Sequence, residues 1–249
     1  MTIDLGGAVT FITGGGSGIG REAARRFVEA GSRVVIADVR AEAAREVAES
    51  IDPAGKSVFP LHCDVRDPGS VGEAVRQATG VWGEIDILIN NAGAWTLKQF
   101  LDMEAADYDV DIGVCLFGTL YMTRAVLPAM VARKQGVIIN TISDSALIGS
   151  QNATVYSAAK AGVVAFTKAL AKEVGPSGIR VNGVSPGTTA TPANEAARAG
   201  LEMEKFLRSY PLRRIGTPQD QANAMLFLAS DLSGWITGQI IPVNGGHVM

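Results

Sequence analysis

The chain has 249 residues, and 22 Lys and Arg against 25 Asp and Glu leave a formal charge of −3. At 47% hydrophobic and 19% charged residues, it is too apolar for a disordered protein and has no general electrostatic pull toward nucleic acid or anionic lipid. Two cysteines, Cys63 and Cys115, exclude a disulfide framework, and two histidines, His62 and His247, leave little material for a metal site. No basic segment followed by an apolar one opens the chain, and no run of about 18 uncharged apolar residues occurs. Neither a signal peptide nor a membrane span is expected, and a reduced, cytoplasmic setting is.

In chain order, Val- and Ile-rich runs at Val9–Thr13, Val34–Ala37, Val58–His62, Ile85–Asn90, Val137–Ile142, Ile179–Val184 and Gln239–Val243 predict strands. Most are near-continuously apolar, as strands covered on both faces are. Between them, helical spacing occupies Arg21–Ala30, Ala41–Ser50, Ser70–Trp82, Val114–Arg133, Val155–Val174 and Gln219–Ser230. This alternation predicts an α/β fold, a doubly wound parallel sheet of about seven strands with helices on both faces. Gly31, Gly83, Gly136 and Gly175-Pro176 punctuate the helix ends. No linker or repeat divides the chain, so a single domain over 1–249 is expected. Thr188–Tyr210 is a long stretch without a strand, and it could carry a flap over a site.

The first strand runs straight into Gly14-Gly15-Gly16-Ser17-Gly18-Ile19-Gly20, then Arg21-Glu22-Ala23-Ala24. Strand, glycine turn and helix N-terminus together make an anion site: backbone N–H groups approach a pyrophosphate, and the helix dipole favours its charge. A nucleotide P-loop is excluded, because Arg21-Glu22 stand where Lys and Ser or Thr are needed. A plain tight turn would use the same glycines. The second strand adds Asp38, at the distance of about 20 residues where an acid accepts from adenosine ribose hydroxyls. A carboxylate there repels a 2′-phosphate, which argues for NAD over NADP; Arg40 nearby leaves room for both.

Tyr156 and Lys160 share one helix face at i,i+4. A phenol is a poor base at neutral pH, and an ammonium group beside it would favour the phenolate. Ser143 ends the fifth strand, and strand C-termini face the ligand crevice in such sheets. The three together suit removal of a proton from an alcohol while hydride leaves its carbon.

These residues resemble the short-chain dehydrogenase/reductase superfamily, in its single-domain branch, with a Rossmann-type sheet. The resemblance rests on Thr13-Gly14-x-x-x-Gly18-x-Gly20, Cys63-Asp64-Val65, Asn90-Asn91-Ala92-Gly93, Ser143, Tyr156-x-x-x-Lys160, Asn182, Pro186-Gly187, and Thr237-Gly238-Gln239 to Gly245-Gly246. It implies that Gly14, Ser17, Gly18, Ile19 and Gly20 bind the pyrophosphate side and that Asp64 and Val65 flank the adenine. Asn91, Ala92 and Gly93 would line the nicotinamide ribose, and Pro186, Gly187, Thr189 and Thr191 would bind the carboxamide. Tyr156 would be the acid/base, Lys160 would hold the ribose and lower the Tyr156 pKa, and Ser143 would orient the substrate, with no metal. A homotetramer is implied as well.

One position departs. Relatives carry V-N-L-x-G-T where this chain reads Val114-Cys115-Leu116-Phe117-Gly118-Thr119. The Asn joins a proton relay that a thiol cannot copy; the main-chain carbonyl of Cys115 could still hold the relay water. The expected activity is hydride transfer between NAD and a secondary alcohol/ketone pair. Trp95, Asp144, Ser145, Gln151, Asn152 and the flap near Pro192–Phe206 are the expected substrate pocket. Alternatives are a 3-oxoacyl-carrier-protein reductase and a catalytically silent dinucleotide sensor.

Overall fold

In the computed structural model, residues 3–249 are described apart from 196–198, 200 and 201. The strands are β1 (Val9–Thr13), β2 (Arg33–Asp38), β3 (Val58–His62), β4 (Ile87–Asn90), β5 (Gly136–Thr141), β6 (Ile179–Pro186) and β7 (Ile240–Val243). They form one sheet in the order β3-β2-β1-β4-β5-β6-β7, and every pairing is parallel. The helices are α1 (Gly18–Glu29), α2 (Ala41–Ile51), α3 (Pro68–Trp82), α4 (Ala105–Ile112), α5 (Gly118–Arg133), α6 (Ser145–Ile148), α7 (Thr154–Val174), α8 (Met203–Leu207) and α9 (Pro218–Ala229).

Near-continuous apolar runs are explained by the two layers. Neighbouring strand residues point to opposite faces. Phe11, Val35, Leu88 and Ile138 meet Val71 and Ala74 of α3, Met122 and Met130 of α5, and Leu170 of α7. Their neighbours Ile12, Ile36, Ile89 and Ile139 meet Ala24 and Phe27 of α1, Val47 of α2, and Met225 of α9. Each fully buried large side chain contributes about 1.5–3 kcal/mol. Because β1 lies between β2 and β4, the chain reverses direction across the sheet after β3. A crevice opens at the C-terminal ends of β1 and β4, where ligands enter such sheets.

The structure shifts several expected boundaries. The helix expected from Val114 starts earlier, at Ala105, and passes through a π turn at Gly113–Phe117. Asp107, Asp109 and Asp111 hide the apolar periodicity of this start, which a reciprocal cap between Glu104 and Asp107 secures. Ala105–Arg133 is long and apolar enough to cross a membrane by composition, whereas no such segment was expected. Here Met122, Val126 and Met130 bury that apolarity against the sheet. Gly136 does not end a helix: Lys134 takes the left-handed position with φ 56°, and Gly136 opens β5. Nor is Gly175 left-handed; the chain turns at Gly178, φ 72°.

Candidate functional site

The first strand delivers its glycines into the crevice. Gly14 has φ +63°, and a Cβ there would stand 2.8 Å from the Ala92 Cα. At Gly20 a Cβ would meet the Gly14 carbonyl oxygen at 2.2 Å. Only glycine allows this turn to lie flat against β4. No side chain caps α1, since Ser17 at its N-cap makes no such bond, so the helix's first N–H groups face the crevice. Gly14, Ser17, Gly18 and Ile19 line a cleft of about 570 Å³. Gly20 does not line it; it is the packing floor beneath the turn.

The loop is fixed from β2 and β4. Asp38 is buried; its Oδ2 accepts from Gly16 N–H at 3.0 Å and its Oδ1 from Arg40 N–H at 3.0 Å. Both oxygens keep a lone pair, and the carboxylate lines the cleft. Asn91 donates its amide to the carbonyls of Thr13 and Gly14, both at 3.1 Å. The Thr13 hydroxyl accepts from the N–H groups of Asn91 and Ala92. Asp64 is held by Arg66 at 2.7 Å, and that guanidinium keeps its carboxyl below the usual range. Val65, Asn91, Ala92, Gly93, Pro186, Gly187, Thr189 and Thr191 all reach the same cleft.

Ser143, Tyr156 and Lys160 line it too. A buried polar chain places the helix carrying Tyr156 and Lys160. Asn90 of β4 donates to Thr123 and to Asn140 of β5, and Asn140 donates to Thr167 of α7 at 2.8 Å. These bonds tie β4, β5, α5 and α7 to one another, while the buried Asn90 Oδ1 has no partner. Lys160 is buried, and its Nζ donates to the Thr141 carbonyl at 2.7 Å. It stands 5.9 Å from the centroid of the Tyr156 ring. The Tyr156 hydroxyl is hydrogen-bonded with Ser143.

The protein groups around Tyr156 act on its phenol in both directions. Burial pushes its pKa well above the ordinary value, and neighbouring Cys115 and Asp111 act in the same direction; the bond with Ser143 opposes them and loses. The phenol is therefore a proton donor at rest. Cys115 is fully buried and donates its thiol to the Ala94 carbonyl at 3.2 Å. Its own carbonyl, which the sequence left open as a holder of the relay water, accepts the Thr119 hydroxyl at 2.9 Å. One turn earlier Asp111, also buried, accepts from Thr96 N–H at 2.8 Å, and its Oδ2 has no partner. Burial raises its pKa. Nothing in the local sequence marked Asp111 as a neighbour of Tyr156.

At the other end of the cleft, Trp95, Asp144, Ser145 and Gln151 line the wall as expected. Trp95 tilts against Tyr156 with ring centroids 6.1 Å apart. Asn152 does not line it: it takes a left-handed turn, φ 61°, and its carbonyl accepts from Lys98 N–H. From the flap, Ala193, Asn194 and Tyr210 reach the cleft; its residues 196–198, 200 and 201 lie outside the described ones. Sequence reasoning missed His247, which also lines the cleft. It had appeared only as weak metal-site material, and among the described residues no group of metal-ligating side chains forms.

A glycine cradle that any Cβ would fill, an uncapped helix N-terminus and an acid at the end of β2 fit a dinucleotide along this cleft. The comparisons agree. Residues 14–247 match the family model described as enoyl-(acyl carrier protein) reductase. The chain is 42% identical, over 96% of each chain, to the (2S)-[(R)-hydroxy(phenyl)methyl]succinyl-CoA dehydrogenase subunit BbsD of Thauera aromatica. It is 37% identical to the 7alpha-hydroxysteroid dehydrogenase of Escherichia coli strain K12, over 98% of this chain and 95% of that one. A crystal structure of a short-chain type dehydrogenase/reductase from Mycobacterium marinum superposes with a TM-score of 0.93 at 35% identity, covering 99% of this chain and 98% of that one. With its parallel sheet, its glycine turn and its Ser143, Tyr156 and Lys160 in one cleft, the chain belongs to the short-chain dehydrogenase/reductases, a family of oxidoreductases that bind nicotinamide cofactors.

Proposed function

We propose that the protein is an NAD(H)-dependent dehydrogenase/reductase acting on a secondary alcohol and its ketone. The observation that carries this is the meeting of Ser143, Tyr156 and Lys160 in the cleft that Asp38 enters from β2. Gly14, Ser17, Gly18 and Ile19 would hold the pyrophosphate, and Asp38 the adenosine ribose. When bound, the nicotinamide donates or accepts the hydride. Ser143 orients the substrate oxygen and, by its bond with Tyr156, aims the phenol at it. In reduction the Tyr156 hydroxyl gives its proton to the carbonyl oxygen as the carbon receives hydride; in oxidation the phenolate takes that proton back. Lys160, tethered to Thr141, lies where its ammonium stabilises the phenolate.

The names of the relatives support carbon–hydroxyl chemistry without agreeing on a substrate. One relative is a 3-oxoacyl-acyl-carrier-protein reductase of Aquifex aeolicus, 37% identical over 99% of each chain, and that activity is the second reading. Comparing kcat/KM for NADH and NADPH with ketones and 3-oxoacyl thioesters, and for NAD+ and NADP+ with secondary alcohols, followed at the absorbance of the reduced nicotinamide, tests both. A preference for NADPH with 3-oxoacyl thioesters selects the second. NADH binding without turnover on any of them selects a silent dinucleotide-binding protein. We propose a homotetramer as the working assembly; Phe117, Val131 and Trp235 are exposed apolar groups that it would cover, and light scattering of the purified protein decides its mass.

A further inference from the structure

Asp144 follows Ser143 directly, and its side chain turns away from the reacting groups toward the C-terminal turn. Its Oδ1 accepts from the Asn244 amide at 2.9 Å, and its Oδ2 pairs with His247 Nδ1 at 3.0 Å. Asn244 is itself tied to that turn: its amide donates to the Val248 carbonyl, and its Oδ1 accepts from Gly246 N–H, both at 3.0 Å. The imidazole ring stacks on Tyr210 with centroids 4.7 Å apart and an 11° interplanar angle. Tyr210 is fixed in turn, its hydroxyl accepting from Thr188 N–H at 3.2 Å. His247 is thus held at one edge by a carboxylate and on one face by an aromatic ring. Asp144, Tyr210 and His247 all line the cleft that holds Ser143 and Tyr156.

A carboxylate on one ring nitrogen sets what the other nitrogen does. With Nδ1–H committed to Asp144, the neutral ring presents a lone pair at Nε2, and the protonated ring presents an N–H there. Nε2 makes no hydrogen bond to any described residue, although the ring is mostly buried, with 26% of its side chain exposed. A hydroxyl oxygen pairs with Nε2 in either state, and a carbonyl oxygen pairs with the protonated one. A substrate carboxylate is disfavoured, because it would bring a second negative charge up to the Asp144–His247 pair.

We propose that His247, oriented by Asp144, is a specificity-determining residue that hydrogen-bonds a second, uncharged oxygen of the substrate, beyond the carbon–oxygen pair that reacts. The substrate class is then a bifunctional oxygenated compound, such as a hydroxyketone or a diol, in preference to a monofunctional alkanol. For turnover this rests on the oxidoreductase reading above; for binding it does not.

The chain's two histidines make a direct test practical. Imidazole nitrogen NMR of the wild-type protein, with and without NADH, is followed while acetoin, diacetyl, butanone or acetoacetate is added; the spectrum of His247→Phe identifies the His247 signals. The expected result is a shift of His247 Nε2 with acetoin, with butanone leaving it in place and His62 unmoved. A response to diacetyl as large as that to acetoin assigns the contact to a carbonyl oxygen; a larger one with acetoin assigns it to a hydroxyl. No shift with either up to the solubility limit, an equal shift with butanone, or a larger one with acetoacetate overturns the proposal. In kinetics, the ratio of kcat/KM for acetoin to that for butanone is expected to fall tenfold or more in His247→Phe, which keeps a ring to stack on Tyr210. A shift without turnover of any ketone would leave this contact standing and remove the functional reading. Turnover without a shift would do the reverse.

Discussion

The Cys115 thiol donates to the main-chain carbonyl of Ala94 across 3.2 Å, which ties the π turn of the long helix to the segment leading into Trp95. The family resemblance implies an Asn at this position, and an amide N–H can make the same bond with the same partner. Cys115→Asn is therefore expected to fold with a melting temperature close to that of the wild type, and to turn over at an equal or higher rate. Cys115→Ala removes the donor and leaves a small void, an expected loss of about 1 kcal/mol by thermal denaturation. A strongly destabilised, inactive Cys115→Asn would show that the helix has been repacked around the thiol.

Tyr156→Phe keeps the ring against Trp95 and removes the proton donor. NADH binding, read by fluorescence, is expected to survive, while turnover falls by about 10²–10⁴-fold. Near-wild-type turnover would rule out the mechanism.

The raised Tyr156 pKa also sets a pH dependence. Reduction requires the protonated phenol, and burial keeps it protonated beyond the ordinary value of about 10. The kcat for ketone reduction is expected to show no decline attributable to this group between neutral pH and about 10. A falling limb near neutrality that disappears in Tyr156→Phe would contradict the assignment.

Asp38→Ala removes the carboxylate that would accept from the ribose and repel a 2′-phosphate. The kcat/KM for NADH is expected to fall by about 10–100-fold, the worth of a hydrogen bond to a charged group, with NADPH affected less. An unchanged NADH to NADPH ratio would count against the cofactor assignment.

Arg180 on β6 donates to the carbonyls of Leu228, Ala229 and Ser230 at the C-terminal end of α9, at 2.8, 3.4 and 3.2 Å. It satisfies carbonyls that the end of a helix leaves unpaired and complements the helix dipole. Arg180→Met is expected to lose about 2–4 kcal/mol in denaturant unfolding; a loss within experimental error would show that the cap is not needed.

Asp111 carries a linkage of known sign. Its folded-state pKa is raised by burial, so its contribution is fully present below the unfolded pKa and is lost as pH rises through the folded value. Asp111→Asn is expected to flatten the fall of stability as pH rises through that value in pH-dependent melting. An identical pH slope in the two proteins would contradict it.

How much of this could be read from the chain depends on how far apart the interacting residues lie. The glycine turn between β1 and α1, the acid ending β2 and the i,i+4 pair of Tyr156 and Lys160 are local patterns. Strand, turn and helix geometry act over a few residues, so spacing alone identifies them. The alternation of strand and helix likewise determined the layered parallel sheet, because apolar runs of strand length are stable only between two covering layers. Helix starts set by capping rather than by apolar periodicity, such as the one at Ala105, were not legible.

Tertiary structure alone decided the rest of the site. Asp111 reaches Tyr156, and His247 reaches Asp144, because the packing of α4 on α7 and the pairing of β7 with β6 bring together segments distant in sequence. No periodicity records such contacts. The same holds for the surroundings of Tyr156: the phenol and the Lys160 ammonium could be read from their spacing, but the desolvation that pushes the phenol up depends on what the whole fold places around it.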